Sequence, residues 1–225
     1  MLSAGTVLDT ATNRVEGAGL MAAFRAASMR ARMSARLCEI VMPANLSIHQ
    51  HTLNADMPLV MMTDDRATDW AAAARRLPSG SVVVVRSRDN AKRRRLAEQL
   101  DGLSRLVIAD DPGLAARIGA AGLHLPERRM HEAAHWRARF PHWIITSSAH
   151  SLRALMGASA LDAVFLSPVF ATSSHSQARA LTPVRAAFIA AHAPVPVYAL
   201  GGVTTRNAAL LAPAFSGIAG IGLFL

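Results

Sequence analysis

The sequence contains little cysteine, few aromatic residues and no long apolar run. Its 225 residues include one cysteine, Cys38, which excludes an internal disulfide framework and favours a reducing compartment, so the cytoplasm is the predicted location. No apolar run reaches the roughly 20 residues that a membrane-spanning helix needs. The first residues also lack the compact apolar stretch of a secretory signal, and we expect no membrane partner.

The scarcity of aromatic residues also bears on the strong positive charge. Aromatic residues make up 5% of the chain, whereas the formal net charge is +9 and Lys92 to Arg95 form a basic run. This run is best explained as the solvated start of a helix, because Ala91, Leu96 and Leu100 can face a core. Without a stacking surface or a helix-turn-helix or zinc-finger spacing, we expect no nucleic-acid partner. A protein that binds small diphosphates would carry the same excess charge.

Eight short β-rich runs alternate with alanine-rich stretches of helical period from residue 57 onward. The predicted strands are Leu59 to Thr63, Val82 to Arg86, Leu106 to Asp110, Gly122 to Leu125, Trp143 to Ser147, Ala163 to Ser167, Val197 to Leu200 and Ile218 to Leu223. Continuous apolar strands indicate burial on both faces, and βα alternation indicates parallel pairing. The pattern predicts an α/β fold, a TIM (β/α)8 barrel.

The predicted barrel is one domain over residues 57–225, preceded by an N-terminal helical extension and connector over residues 1–56. The sequence stops just after the eighth predicted strand, so we expect the barrel to lack a full C-terminal eighth helix. Residues 14–36 are rich in Arg, Ala, Ser and Met, as in a transit peptide or an amphipathic helix. We favour the helix and expect it, near residues 17 to 37, to cover the gap left by the eighth helix.

Glycines follow the last two predicted strands. Gly201 and Gly202 stand where the seventh strand stops, and Gly220 and Gly222 lie on the eighth. Without a Cβ, glycine lets backbone N–H groups approach an anion closely, and the loops after strands 7 and 8 of such barrels commonly bind phosphate. A simple turn and a tightly packed strand are the alternative explanation.

Polar side chains follow the other predicted strands, at the end of the barrel where chemistry is expected. Arg86 and Arg88 share one face and can present two cations to a diphosphate. Three carboxylates after the third and fourth strands are candidate magnesium ligands: Asp110, Asp111 and Glu127. Hydroxyl and imidazole groups follow the fifth and sixth strands: Ser148, His150, Thr172, Ser173, Ser174 and His175. Taken singly, each of these residues is equally a cap or turn residue.

These strand ends resemble the motifs of the thiamine-phosphate synthase and TenI family of small α/β barrels, over residues 58–225. VVRSR stands where the family has a motif like QLREK, ADDPGLA where it has NDD or NDR, and GLHLPERR where it has GVHLGQED. The family's SxH is Ser148-Ala149-His150, its GPxFPTxTK is SPVFATSSH, and its AIGGI is ALGGV.

The resemblance implies the coupling of an aminopyrimidine methyl diphosphate to a thiazole phosphate, with release of diphosphate and with Mg²⁺ as cofactor. It implies that Arg86, Arg88 and Ser148 bind the leaving diphosphate and that Asp110 ligates the metal. The thiazole phosphate would lie against Thr172, Ser174 and the backbone around Gly201, Gly202, Ile221 and Gly222. The substrates are therefore small phosphorylated molecules, and a homo-oligomer remains open.

The chain departs from the family pattern at three places. Ala109 replaces an asparagine, His175 replaces a lysine, and Arg128 and Arg129 occupy a region where the family often carries an acid. An arginine cannot ligate magnesium. The alternatives are therefore a TenI-like thiazole tautomerase, in which His150 moves the proton, and a noncatalytic thiazole phosphate binder.

One motif points to a different class of protein. His131-Glu132-Ala133-Ala134-His135 matches the H-E-x-x-H pattern, which on a helix puts two imidazoles on one face for zinc. A catalytic zinc site normally needs a third protein ligand, and the pattern continues with Pro141 where a histidine is required. A zinc hydrolase is the remote alternative.

Overall fold

The computed structural model describes residues 59–66, 69–78, 80–172, 179–204, 206–211 and 214–221. The predicted extension, with its helix near residues 17 to 37, lies outside the described residues. The extension and its packing on the barrel therefore stay a prediction.

The predicted closed barrel is confirmed. Its eight parallel strands are β1 Leu59–Met62, β2 Val82–Val85, β3 Arg105–Ala109, β4 Gly122–Leu125, β5 Ile144–Ala149, β6 Ala163–Leu166, β7 Val197–Ala199 and β8 Gly217–Gly220. Each strand pairs with the next in chain order, and β8 pairs with β1 through Leu59 and Ile218. Because the order is sequential, β3 and β4 lie across the barrel from β7 and β8, and β2 lies two strands from β8.

Helices follow the strands in the pattern expected of βα units. They are α1 Trp70–Arg75, α2 Asn90–Leu100, α3 Pro112–Arg117, α4 Ala133–Arg139, α5 Leu152–Leu155 and α6 Pro183–Ala191, with 3₁₀ helices at Glu127–Glu132 and Ala208–Leu210. Aspartate side chains cap the first three, since Asp69, Asp89 and Asp111 each accept a hydrogen bond from a first-turn backbone N–H.

The core has two layers that follow the alternation of each strand. Side chains such as Leu59 and Met61 pack with helix residues such as Trp70, whereas Val60 and Met62 belong to a separate cluster made of strand residues only. This second cluster fills the barrel interior, because alternate residues of a strand point to opposite faces. Within the described residues, no helix is long and apolar enough to cross a membrane.

Two local predictions from the sequence are wrong. Arg93 is not solvated but 8% exposed, because it occupies one position of the buried stripe of α2 together with Leu96 and Leu100. Ala91, which the sequence predicts to face the core, is exposed in the first turn of α2. The loop after β1 caps α1 through Asp69. Asp65 instead accepts a 2.5 Å hydrogen bond from the Ser87 hydroxyl and so joins the ends of β1 and β2.

Candidate active site

A cavity of about 1260 Å³ opens at the carboxyl ends of the strands. Residues that follow all eight strands line it, as the barrel architecture requires. The described residues that the sequence predicts as site residues all lie in its wall: Arg86, Arg88, Asp110, Asp111, Glu127, Ser148, His150, Thr172, Gly201, Gly202 and Ile221. Four further predicted residues, Ser173, Ser174, His175 and Gly222, lie outside the described part of the chain.

Two arginines after β2 line the cavity and have no side-chain partner among the described residues. The side chains of Arg86 and Arg88 form no hydrogen bond or ion pair within the described residues, although the Arg88 backbone N–H donates to Asp65 over 3.2 Å. An unpaired guanidinium beside a cavity offers up to five N–H donors to an anion. These two side chains are therefore available to a ligand.

Asp110, which follows β3, is held between two arginines of the 3₁₀ helix after β4. Arg128 Nη2 lies 2.9 Å from Asp110 Oδ2, and Arg129 Nη1 is in close contact with Asp110 Oδ1. Both carboxylate oxygens are thus engaged. Asp110 also adopts a positive φ of 58°, which is uncommon outside glycine. We call the group formed by Arg86, Arg88, Asp110, Arg128 and Arg129 the charged half of the site.

Arg129 is fixed by a second carboxylate. Its Nε and Nη2 donate to the two oxygens of Glu132 over 2.6 and 2.7 Å, and the Trp136 indole donates to Glu132 over 3.1 Å. The hydrogen bonds from Arg129 lower the pKa of Glu132 to about 2, and Glu132 and Asp110 together raise the pKa of Arg129. The pairing is therefore fully charged at neutral pH.

The other two carboxylates that the sequence predicts as magnesium ligands also have protein partners. Asp111 caps α3 by accepting from the Leu114 backbone N–H over 2.9 Å, and it lies 3.4 Å from Arg93. Glu127 accepts from the backbone N–H of His150 over 2.8 Å. Within the described residues, no group of three His, Cys, Asp or Glu side chains is arranged to hold a metal ion.

These residues do not fit the magnesium site that the family resemblance implies. A divalent ion and a guanidinium about 4 Å apart repel by on the order of 8 kcal/mol at an effective dielectric constant of about 20. Asp110 already has such a guanidinium on each oxygen. A cation at this carboxylate would first have to displace both arginines.

His124 on β4 is a site residue that the sequence reasoning missed. Its Nδ1 lies 2.9 Å from the Thr146 hydroxyl, its Nε2 lies 3.0 Å from the Ser148 hydroxyl, and its ring stacks on Phe165. Complete burial, with a smaller contribution from Arg86, lowers the pKa of His124 to about 3. A neutral imidazole donates through one nitrogen and accepts through the other, so this ring orients the Ser148 hydroxyl at the cavity wall.

His150 directly follows β5, and only one of its two ring nitrogens forms a hydrogen bond within the described residues. Its Nδ1 is 2.7 Å from the Ser167 carbonyl oxygen, which can only accept, so Nδ1 carries a proton. In the neutral ring, Nε2 then has the lone pair. Nε2 lies 4.0 Å from Glu127 Oε2. The arrangement presents a base to the cavity.

Backbone groups form the opposite side of the cavity. Gly201 and Gly202 have φ of 90° and 64°, and their N–H groups have no acceptor in the described part of the chain. A Cβ at Gly201 would lie 2.9 Å from Pro168, and one at Gly202 would lie 2.8 Å from Phe170 Cβ and overlap the Ala171 carbonyl oxygen. We call Gly201, Gly202, Gly220 and Ile221 the glycine half of the site.

The β6 and β7 loops are tied together around these glycines. Phe170 N–H donates to the Gly201 carbonyl over 3.0 Å, and the Asn207 side chain donates to the Gly202 carbonyl over 2.9 Å. With their carbonyls held by these bonds, the two glycines keep their N–H groups available to an anion.

The H-E-x-x-H stretch, which lies within the described residues, does not form a zinc site there. His131 ends up in the 3₁₀ helix and His135 in α4, and Glu132 is bound by Arg129 and Trp136. Asp162, the later acid in the sequence, accepts from the Ile145 backbone N–H over 2.7 Å and pairs with Arg137. This alternative has no support from the described residues.

The sequence held a signal for two of the residues that were missed. His124 stands between two leucines on a strand, so the period of two places it inside the barrel. Arg93 falls three and seven residues before Leu96 and Leu100, on the buried stripe of α2. No short-range signal predicts that Arg128 and Arg129 close on Asp110, because 18 and 19 residues separate the partners.

Sequence comparison relates this chain to a family. Residues 58–224 match the family described as thiamine monophosphate synthase. A thiamine-phosphate synthase of Azorhizobium caulinodans is 32% identical over 180 residues, which cover 73% of this chain and 85% of that protein. A candidate thiamine-phosphate synthase 2 of Aquifex aeolicus is 32% identical over 154 residues, which cover 64% and 82%.

Structure comparison finds the same fold. A thiamine phosphate pyrophosphorylase from Pyrococcus furiosus superposes with a TM-score of 0.61 at 19% identity, covering 76% of this chain and 88% of that one. A 2-keto-3-deoxy-6-phosphogluconate aldolase of Zymomonas mobilis superposes with a TM-score of 0.52 at 14% identity, covering 77% and 86%. At these identities, the likeness shows the barrel fold alone.

Proposed function

The chain belongs to the thiamine monophosphate synthase family, and we propose that it is a thiamine-phosphate synthase, a transferase of thiamine biosynthesis. Its substrates would be an aminopyrimidine methyl diphosphate and a thiazole phosphate. The proposal rests on one observation: two anion-binding surfaces line the same cavity on different sides. The charged half offers Arg86 and Arg88, whose side chains have no partner in the described part of the chain, and the glycine half offers the N–H groups of Gly201 and Gly202.

In the proposed reaction, the bond between the pyrimidine methylene carbon and the diphosphate oxygen breaks. The electron pair leaves with the diphosphate, and the thiazole nitrogen donates its lone pair to form the new C–N bond. No proton is transferred, and the positive charge ends on the thiazolium ring. Such a step depends on fixed positive charge at the leaving group more than on an acid or a base.

The residues of this chain would divide that task between them. Arg86 and Arg88 donate N–H groups to the departing diphosphate, and the Ser148 hydroxyl, oriented by His124, adds another hydrogen bond. Gly201 and Gly202 hold the phosphate of the thiazole substrate with backbone N–H groups. Thr172 lines the same cavity and would contact that substrate. Magnesium stays a prediction of the family resemblance, and no step above depends on it.

The test is thiamine phosphate formation by the purified full-length chain, followed by mass spectrometry with both phosphorylated substrates and magnesium present. We expect product from the parent and a loss of about 100-fold or more in kcat/KM for Arg86→Gln/Arg88→Gln, the size reported for removal of preorganised donors at a developing anion. The matched control is Arg94→Gln/Arg95→Gln, which removes two charges from exposed positions of α2 outside the cavity. Parent activity absent, or equal losses in both variants, would refute the proposal.

The geometry of His150 favours a second candidate, a TenI-like thiazole tautomerase. A proton on Nδ1, fixed by the Ser167 carbonyl, leaves Nε2 as the basic nitrogen of a residue that lines the cavity. Incubation of a thiazole carboxylate phosphate in deuterated water measures this activity by exchange. Exchange by the parent and its loss in His150→Gln, without any thiamine phosphate formation, would favour the tautomerase over the synthase. A chain that binds thiazole phosphate without either reaction would be a noncatalytic binder.

A further inference from the structure

We propose that Arg128 and Arg129 take the place of a divalent cation at Asp110, so that this edge of the cavity binds a diphosphate group through guanidinium N–H groups and without a metal ion. The proposal deepens the proposed function and rests on it, since the diphosphate is the group which that reaction releases.

The first support is that both carboxylate oxygens of Asp110 already accept hydrogen bonds from arginines. Oδ2 accepts from Arg128 Nη2 over 2.9 Å, and Oδ1 accepts from Arg129 Nη1. A carboxylate with a guanidinium on each oxygen is a hydrogen-bond acceptor whose charge is already compensated. It therefore orients the two arginines and no longer attracts a cation.

The second support is that further hydrogen bonds hold the pairing of Asp110 with the two arginines in place, unlike an isolated surface ion pair. Arg129 is held on its other side by both oxygens of Glu132, and Glu132 is held by the Trp136 indole. Arg129 itself is half-buried, and the chain of contacts runs from the end of β3 to α4. Such a chain fixes the orientation of the Asp110 carboxylate and thereby that of Arg128.

The third support is the position of Arg128. Its side chain lines the cavity and is 71% exposed, and it uses one donor on Asp110. A guanidinium has five N–H donors, so the remaining ones are available to an anion. Arg86 and Arg88, which have no partner in the described ranges, lie in the same wall. Three guanidinium groups can therefore converge on one diphosphate.

Binding of inorganic pyrophosphate to the purified full-length chain, measured by isothermal titration calorimetry, tests this proposal. We expect binding in excess chelator, with magnesium improving the affinity by no more than about twofold. Arg128→Gln should weaken metal-free binding about tenfold, because hydrogen bonds to charged groups are among the stronger ones. Arg94→Gln, which removes the same charge from an exposed position outside the cavity, should bind like the parent.

Asp110→Asn gives a test in which the two explanations predict opposite signs. Asparagine tolerates the positive φ of this position, so the fold should persist, as a thermal melt will show. If the arginines bind the anion, removal of a negative charge beside them should raise metal-free pyrophosphate affinity about threefold. If Asp110 ligates a metal ion, the same change should lower the affinity measured with magnesium present, a condition under which the arginine site predicts the same increase.

Several results would overturn the proposal. They are pyrophosphate binding only with magnesium, binding lost in Asp110→Asn, and equal binding in Arg128→Gln and the parent. Because Arg128 is mostly exposed, its variant stays informative even if Asp110→Asn does not fold. The proposed function is judged separately by product formation. Turnover together with magnesium-dependent pyrophosphate binding refutes only the arginine site, and metal-free binding without turnover refutes only the synthase.

Discussion

The two halves of the site bind anions by different means. In the charged half, the donors are side chains after β2 and β4, and the two after β4, Arg128 and Arg129, are positioned by pairing with Asp110 and Glu132. In the glycine half, the donors are the backbone N–H groups of Gly201 and Gly202, and their positions depend on φ angles and on the packing of the β6 loop.

This difference decides how each half can change. A side chain in the charged half can be replaced without disturbing its strand, so substitutions there retune charge, as Arg128 and Arg129 illustrate beside Asp110. At Gly201 and Gly202 of the glycine half, any added side chain meets backbone or loop atoms at once. The charged half therefore tolerates substitutions that change which anion is bound, whereas the close backbone packing of the glycine half does not.

The largest effect is expected from Gly202→Ala. The added Cβ would overlap the Ala171 carbonyl oxygen and lie 2.8 Å from Phe170 Cβ, at a φ of 64° that already disfavours alanine. Left-handed strain and overpacking together should lower the free energy of unfolding by about 2 to 5 kcal/mol. Because the β6 and β7 loops must separate, thiazole phosphate affinity should fall at least tenfold. Urea denaturation and calorimetry measure the two effects.

Gly102→Ala separates strain from overlap. Gly102 has a φ of 72°, close to that of Gly202, but a Cβ there would meet nothing within 4 Å. The strain alone should lower the free energy of unfolding by about 1 to 2 kcal/mol and leave ligand affinity unchanged. Equal losses in the two variants would show that the packing of the glycine half is not what excludes a side chain.

A smaller effect is expected from His124, an ionisable group beside the charged half that burial keeps neutral. Burial, with a smaller contribution from Arg86, holds its pKa at about 3, against an ordinary value of 6.5. Between these values the unfolded chain binds a proton that the folded chain does not. The stability that His124 contributes is therefore complete above pH 6.5 and is lost as the pH falls towards 3, by about 1.4 kcal/mol per pH unit.

Denaturant titrations between pH 6.5 and 5 measure this slope before most carboxylates titrate. His124→Gln should remove the slope, although it also lowers stability at every pH because the ring packs on Phe165. The matched control is His142→Gln, since His142 is exposed and outside the cavity. If the parent and His124→Gln show the same pH dependence, then His124 titrates normally and burial does not keep it neutral.

Much of the fold follows from local patterns in the sequence. The valine run of β2 and the apolar runs of the other strands predict the barrel, because β-branched residues and continuous burial favour central parallel strands. The glycines after β7 predict a close approach of the backbone for the same local reason. Residues such as Arg86 and Gly201 reach the cavity because barrel topology brings all strand ends together.

The pairing of the charged residues did not follow from local patterns. Asp110 carries a sequence signal for a helix cap and another, through the family resemblance, for a metal ligand. In the structure the cap is Asp111, and Asp110 pairs with two arginines from the next βα unit. Which partner a carboxylate takes depends on tertiary distances and on competing charges. A pattern of neighbouring residues does not contain that information.

The smallest effect concerns salt, and it compares the two halves directly. Raising sodium chloride from about 0.05 to 0.5 M shortens the Debye length from about 13 to about 4 Å, which screens exposed charges most. Pyrophosphate, bound by guanidinium groups of the charged half, should lose about fivefold in affinity. Thiazole phosphate, bound by short backbone hydrogen bonds in the glycine half, should lose less than twofold. Calorimetry with each ligand in turn measures both. If both ligands lose affinity equally, the halves share one electrostatic mechanism, and the distinction between side-chain and backbone recognition fails.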